Sequence, residues 1–303
     1  MADAQVLTPE ARAVHRRHAE GAFDLAGRIP RIVLEARRVA MATVHGAHGR
    51  RRAGAGENFW QFRPFTSGEP AARIDWRRSA RDDRAFVRER EWEAAHTIAL
   101  WIDLSASMGF QSKLAMAPKI DRALVIGLAL SDMLVRAGER VGLLGGPPAS
   151  ASREIIEKLA QTIARIHRDG FDDAPPPVSL PALSEAVIIG DLLAPADEIV
   201  RAIEAISARG ARGHVLVVAD PVEEAFPYSG HAEIVDLEMG AKLRVGDAAE
   251  FRARYLKRLA DHRDRIRDAC RRRGWSFAVH RTDRPASEPL IGLVGRIAEG
   301  RKG

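Results

Sequence analysis

Three residues in one short string are of a type that captures a cation or positions an acid group. They are Asp103, Ser105 and Ser107, in Asp103-Leu104-Ser105-Ala106-Ser107. Alternate positions on a loop place one carboxylate and two hydroxyls around a single spot. Hard oxygen donors of this kind suit Mg2+, which prefers octahedral oxygen and retains waters. Asp191 follows the apolar run 186–190 and would project onto the same edge as a second carboxylate. The same residue types also satisfy backbone groups in turns and ahead of helices, so residue types alone leave both readings open.

Holding such a loop requires strands that end beneath it. His96-Thr-Ile-Ala-Leu-Trp-Ile-Asp103 is nearly all apolar, as a central strand covered on both faces must be. Further strands are expected at 140–144, 186–193, 213–220 and 275–282. Helical stretches are expected at 113–137, 152–167 with Ser152 as N-cap, 196–208 closed by Gly210, and 247–273. Strands alternating with helices of this length predict an α/β fold, a doubly wound and mostly parallel sheet. Ligands of such sheets bind beyond the carboxyl ends of the strands, near the point where strand order reverses.

Upstream, Ile29, Ile32, Val33, Ala36, Val39, Ala40 and Val44 recur at helical spacing, with Pro30 expected in the first turn. A glycine- and arginine-rich connector follows. The arm 58–93 then holds seven of the chain's 17 aromatics, Phe59, Trp60, Phe62, Phe65, Trp76, Phe86 and Trp92, which predicts that it packs on something. Residues 232–237 and 242–245 read as a hairpin. The expected organisation is a β-rich lobe within 1–95, comprising helix and arm, and an α/β domain over 96–300, with the insertion 221–246 packing on the lobe.

The Asp-x-Ser-x-Ser string resembles the metal-ion-dependent adhesion site of von Willebrand factor A-like domains. That resemblance implies a bound Mg2+ whose open position accepts a partner's carboxylate. Sites of this type add an Asp after another strand, matched by Asp191, and a Thr from a later loop, for which the segment 172–181 offers Ser179. A second resemblance rests on Arg73, Ile74, Asp75, Trp76, Ser79, Ala80 and Arg81 in SGEPAARIDWRRSARDDRAFVREREWE, with GAGENFWQFRPF upstream. It continues on Asp220, Pro221, Glu224, Phe226, Pro227, Gly230, Asp236, Glu238 and Gly240. Together these resemble domain-of-unknown-function family 58, a bacterial von Willebrand A-like family, over about residues 45–295. The resemblance implies a MoxR-type AAA+ ATPase as partner and a chaperone-like adaptor role in complex maturation or metal-cofactor insertion. It implies no enzymatic activity.

Arg73, Asp75 and Arg81 are expected to form an ion-pair network, because guanidinium forks match carboxylates. Such a network either fixes the arm or presents an interaction surface. Asp220, Glu223 and Glu224 read either as a partner-facing patch or as a solvated loop.

Composition narrows the alternatives. The net charge is +6, with Arg supplying 41 of the 47 Lys and Arg residues, and the isoelectric point is near 9.9. Residues 1–95 hold 18 Arg and Lys against 13 Asp and Glu, and 247–273 hold 10 against 5. The remainder is therefore acidic, and a dipolar chain suits a protein partner as well as nucleic acid. A nucleic-acid reading would use Arg50 to Arg52 and the helix 252–273, but Asp261, Asp264 and Asp268 alternate with its arginines and would repel phosphate. A metal-assisted hydrolase at the Asp103 edge would need a general base, and no His lies near it in sequence. Gly54-x-Gly56 follows no strand, and no Walker lysine loop is present. His15/His18 and His45/His48 lack the Cys or carboxylate frame of a zinc site. The single cysteine, Cys270, excludes an internal disulfide and continues an apolar stripe. The longest apolar run, 123–130, is far short of a membrane span, and the N-terminus shows no signal-peptide core; a soluble, cytoplasmic protein is expected.

Overall fold

The computed structural model describes residues 9–47, 59–66, 69–82, 84–90, 96–169, 173–235 and 242–300. Its elements in chain order begin with helix α1 (Pro9–Ala47), strand β1 (Phe59–Pro64), the single turn α2 (Trp76–Ser79) and β2 (Phe86–Arg90). The α/β alternation follows: β3 (Thr97–Ile102), α3 (Lys119–Arg136), β4 (Arg140–Leu143), α4 (Ile155–Asp169), β5 (Ser184–Gly190), α5 (Ala196–Ser207) and β6 (Arg212–Ala219). The chain closes with α6 (Pro221–Ala225), β7 (Ala232–Val235), β8 (Lys242–Val245), α7 (Ala248–Arg272), β9 (Ser276–Arg281) and α8 (Ser287–Gly300).

All five expected core strands form, and they pair in parallel in the order β4-β3-β5-β6-β9. Counted within the sheet alone, this is the order 2-1-3-4-5 of doubly wound folds, whose switch point lies between the first and third strands. Here those strands are β3 and β5. Side chains alternate cleanly between two cores. Ile98, Leu100, Ile102, Val187, Ile189, Leu216 and Val218 face α1, α3, α4 and α8. Ala99, Trp101, Ala186, Ile188, Val215 and Val217 face α5 and α7. Cys270 belongs to the second core and is fully buried.

The chain divides into two compact units differently from the sequence expectation. Residues 1–46 and 96–303 form one unit, and residues 47–95 the other. The apolar stripe of α1 is the reason. Leu25, Ile32, Ala36 and Ala40 are buried in the α/β core, and Arg28 and Arg37 pair with Asp121 of α3 and Glu157 of α4. Pro30 sits well inside this helix instead of in its first turn. The β7–β8 hairpin also groups with the α/β unit, its ends tied where the Ala248 N–H donates to the Gly230 carbonyl (2.8 Å). The turn of the hairpin, including Asp236, Glu238 and Gly240, lies outside the described residues.

Within the smaller unit, β1 and β2 pair antiparallel, and the Arg78 guanidinium lies 4.6 Å from the centre of the Phe86 ring. Trp76 is 66% exposed, which counts against the expectation that the arm's aromatics are packed away. Among helices, α3 starts at Lys119 instead of 113, because the residue before a proline is pushed away from helical geometry and Pro118 sits at the N-cap. The last helix, α8, was not anticipated, although Leu290, Leu293 and Ile297 form its buried face.

Two expectations test this packing. Ile32→Ala should destabilise the α/β unit by about 2–5 kcal/mol, as loss of a packed core side chain does. A chemical-unfolding midpoint equal to wild type would show α1 to be peripheral. His280 on β9 is buried, and burial, reinforced by Arg122, pushes its imidazole down to about 4. The unfolded chain therefore takes up a proton near pH 6.5 that the fold refuses. Stability is fully present above that pH and should be lost, at up to about 1.4 kcal/mol per pH unit, as pH falls toward 4. Urea unfolding at several pH values should show a shallower slope in His280→Leu than in wild type.

Candidate functional site

The register that joins Ile102 to Ile189 places Asp103 against Gly190, and the Asp103 N–H donates to the Ile189 carbonyl (2.8 Å). A Cβ on Gly190 would lie 2.4 Å from the Asp103 Cβ, so glycine is what allows this approach. The two loops leaving β3 and β5 then converge. Asp103 Oδ1 accepts the Ser105 N–H (3.0 Å), and the hydroxyls of Ser105 and Ser107 lie 3.2 Å apart. Ser107 Oγ donates to Asp191 Oδ2 (2.7 Å), and Asp191 Oδ1 accepts the Leu193 N–H (3.2 Å). Asp103, Ser105, Ser107 and Asp191 are thus one cluster at the carboxyl edge, at the switch point.

Ser179 is not part of it. It is exposed on the segment that enters β5 at its amino end, where the Leu180 N–H meets the last turn of α5 (3.4 Å to the Ile206 carbonyl). That is the opposite edge of the sheet.

Lys119 completes the cluster, and its role was not visible in the sequence reading. Its side chain is 0% exposed, and Nζ donates to Asp191 Oδ2 (2.8 Å) and Glu223 Oε1 (2.5 Å). Burial alone would strip its proton, but the Asp191 and Glu223 carboxylates raise its affinity for it, so the ammonium stays charged. Glu223 is pushed up by burial and held back by that ammonium. Asp103 is raised well above the usual carboxylate range, by burial first and then by the neighbouring Asp191 charge. Its Oδ2 is buried with no hydrogen-bond partner among the described residues.

The acidic group after β6 is structural. Asp220 is fully buried and caps α6: its Oδ1 accepts the Val222 N–H (2.9 Å), and Glu223 Oε2 accepts the Asp220 N–H (2.9 Å) in return. Its Oδ2 accepts the Ser112 N–H (2.8 Å), tying the β6 loop to the β3 loop. Glu224 pairs with Arg263 of α7 (2.6 Å). Neither the solvated nor the partner-facing reading holds for Asp220, whose carboxylate is committed inward, whereas Glu224 stays a quarter exposed beside Arg263.

In the smaller unit, Asp75 is the N-cap of α2, accepting the Arg78 N–H (2.9 Å). Ser79 Oγ donates to the Asp75 carbonyl and accepts the Phe86 N–H (both 2.8 Å). The signature residues therefore fold a turn onto β2. Arg81 is exposed, and the expected ion-pair network cannot be followed through Arg73, whose side chain lies outside the described residues.

The signature turn and the Asp103 loop both lie where one family pattern runs. The model of the family described as "Protein of unknown function DUF58" matches residues 61–265. The chain belongs to this family. Relatives of this DUF58 chain include the uncharacterized proteins Rv1480 of Mycobacterium tuberculosis (strain ATCC 25618 / H37Rv) and Mb1516 of Mycobacterium bovis. Each is 27% identical over 280 residues, covering 86% of this chain and 84% of the relative. Among solved structures, conserved hypothetical protein BatB from Bacteroides thetaiotaomicron aligns with a TM-score of 0.40 at 12% identity, over 68% of this chain and all of that one.

The DUF58 site has donors of the type Mg2+ takes: an orphaned Asp103 oxygen and two hydroxyls. It departs from a cation site at Asp191, whose inward oxygen already receives both the Ser107 hydroxyl and the Lys119 ammonium. A divalent ion there would displace both bonds and sit beside a fixed positive charge. The residues as arranged do not fit a resident Mg2+.

A separate polar relay joins the amino ends of three strands. His214 bridges Ser276 (2.8 Å at Nδ1) and Glu185 (3.1 Å at Nε2), which spacing alone could not show. The sequence carried only part of the signal for Lys119, since the helix is expected from 113. Lys119 is one of six lysines in an arginine-rich chain, and it stands at the first position of a helix, where the backbone dipole disfavours a cation.

Gly190→Ala should cost about 1–3 kcal/mol, since its methyl would overlap Asp103. A thermal or urea midpoint within error of wild type would show that the β3 and β5 loops are not held at this separation.

Proposed function

We propose that this DUF58 chain is a non-enzymatic interaction module that docks a MoxR-type AAA+ ATPase on the carboxyl edge of its parallel sheet. The observation that carries this reading is a rim of exposed apolar side chains around a closed polar cluster. Leu114 and Met116 lie on the loop after β3, Leu193 on the loop after β5 and Tyr228 on the loop after β6. They are 46–66% exposed although their loops are anchored by buried charges. Apolar residues on fixed loops at one edge offer a partner area to bury at low ordering cost. The family resemblance supplies the kind of partner, and a role in complex maturation or metal-cofactor insertion follows from it.

Ion pairs on α7 weigh against the nucleic-acid reading. Arg263, Arg265, Arg267 and Arg271 of α7 each face a carboxylate, from Glu224, Asp197, Asp264 and Asp268 respectively. No described helix is long and apolar enough to cross a membrane; we place the docking in the cytoplasm as part of the same proposal.

Met116→Asp and Leu193→Asp are surface changes that leave the cores untouched. Each should weaken binding of the ATPase, measured by interferometry with both purified proteins, by about tenfold or more. Undiminished affinity in both variants would remove the edge as the docking surface.

A further inference from the structure

The cluster at the switch point raises a question that does not depend on what docks there: which positive charge belongs to it. Asp103 and Asp191 are buried and Glu223 is mostly so, which brings three carboxyl groups together, and Ser105 and Ser107 add hydroxyls. Buried carboxylates require a counter-charge, because water is not available to screen them. Lys119 meets that need from inside the chain.

Three observations show the ammonium to be fitted to the place. Its side chain is entirely buried, and it reaches carboxylates from two different loops at 2.8 and 2.5 Å. Glu223 is fixed from its other oxygen by the Asp220 N–H (2.9 Å), so the acceptor is aimed before the lysine arrives. The chain also uses lysine here although its cations are almost all arginine. An ammonium is a compact point charge with three donors, whereas a planar guanidinium needs more room.

We propose that the Lys119 ammonium is the resident cation of this edge, standing where an Asp-x-Ser-x-Ser site would hold a divalent ion, so that the protein takes up no Mg2+ there. It follows that removing the ammonium leaves an oxygen-lined site with uncompensated negative charge, able to bind a divalent cation.

Lys119→Met keeps the length of the side chain and removes the charge, and is compared with wild type and with Lys119→Met/Asp103→Asn. Thermal unfolding is followed with MgCl2 or MnCl2 against NaCl of equal ionic strength. The expected result is a wild-type midpoint unmoved by either divalent ion. Lys119→Met alone should melt lower than wild type and recover by about 3 °C or more with Mg2+ or Mn2+ in excess, and the added Asp103→Asn change should abolish that recovery. A wild-type midpoint raised by Mg2+ and no longer raised in Asp103→Asn would overturn the proposal, as would a folded Lys119→Met that ignores divalent ions. Should Lys119→Met not fold, calorimetric titration of Mn2+ into wild type and Asp103→Asn decides. No heat in either supports the internal cation, and stoichiometric binding lost in Asp103→Asn refutes it.

Discussion

A lysine ammonium shared between Asp191 and Glu223, out of reach of water, is the interaction on which the carboxyl edge depends. Three loops meet there. The one after β3 carries Asp103, Ser105 and Ser107; the one after β5 carries Asp191; the one after β6 carries the α6 cap that aims Glu223. Lys119 opens α3, so the helix is bound by its ammonium to the loops after β5 and β6, and by its N–H, donated to the Phe110 carbonyl (3.3 Å), to the loop after β3. Such a group adds less net stability than its short distances suggest, since desolvation offsets much of the attraction. Breaking it is another matter: an abandoned buried charge costs about 3–5 kcal/mol. The cluster therefore acts as a positional constraint more than as a source of stability.

The topology explains why these residues meet at all. β3 and β5 are adjacent because the chain crosses to the opposite side of β3 after β4, and the strand ends on either side of that reversal have no strand between them. Asp103 and Asp191 are far apart in sequence but become neighbours across one register, with Gly190 leaving room for the approach. The apolar rim of Leu114, Met116, Leu193 and Tyr228 stands on the same loops. A fixed polar floor beneath exposed apolar residues is the physical basis for reading this edge as a docking surface.

Much of this was legible in residue order. The apolar runs that make β3, β5 and β6 are buried on both faces, and continuous hydrophobicity signals that directly. The pairing of Asp103 with Asp191 was also legible, because both follow such runs. Other features depended on tertiary context. Pro30 and the charged residues around it hid the extent of α1, whose burial is set by packing on α3 and α4. The acidic Asp220-Pro-Val-Glu-Glu string looked solvated, yet its first residue caps a turn and is fully buried. Ser179 has suitable chemistry and a suitable place in sequence, but the path of the chain into β5 puts it at the wrong edge. Lys119 carries no spacing pattern as a lone lysine, and its helix-start position, against the dipole, is visible only once α3 is seen to begin after Pro118.

The central claim is that this edge carries its cation within the chain. The most direct test is a crystal structure of the wild-type protein soaked in Mn2+, with anomalous scattering recorded at the manganese edge. The predicted result is no anomalous peak between Asp103 and Asp191, and clear density placing Lys119 Nζ against Asp191 and Glu223. An anomalous peak about 2.1 Å from Asp103 Oδ2, with Lys119 turned away, would contradict it.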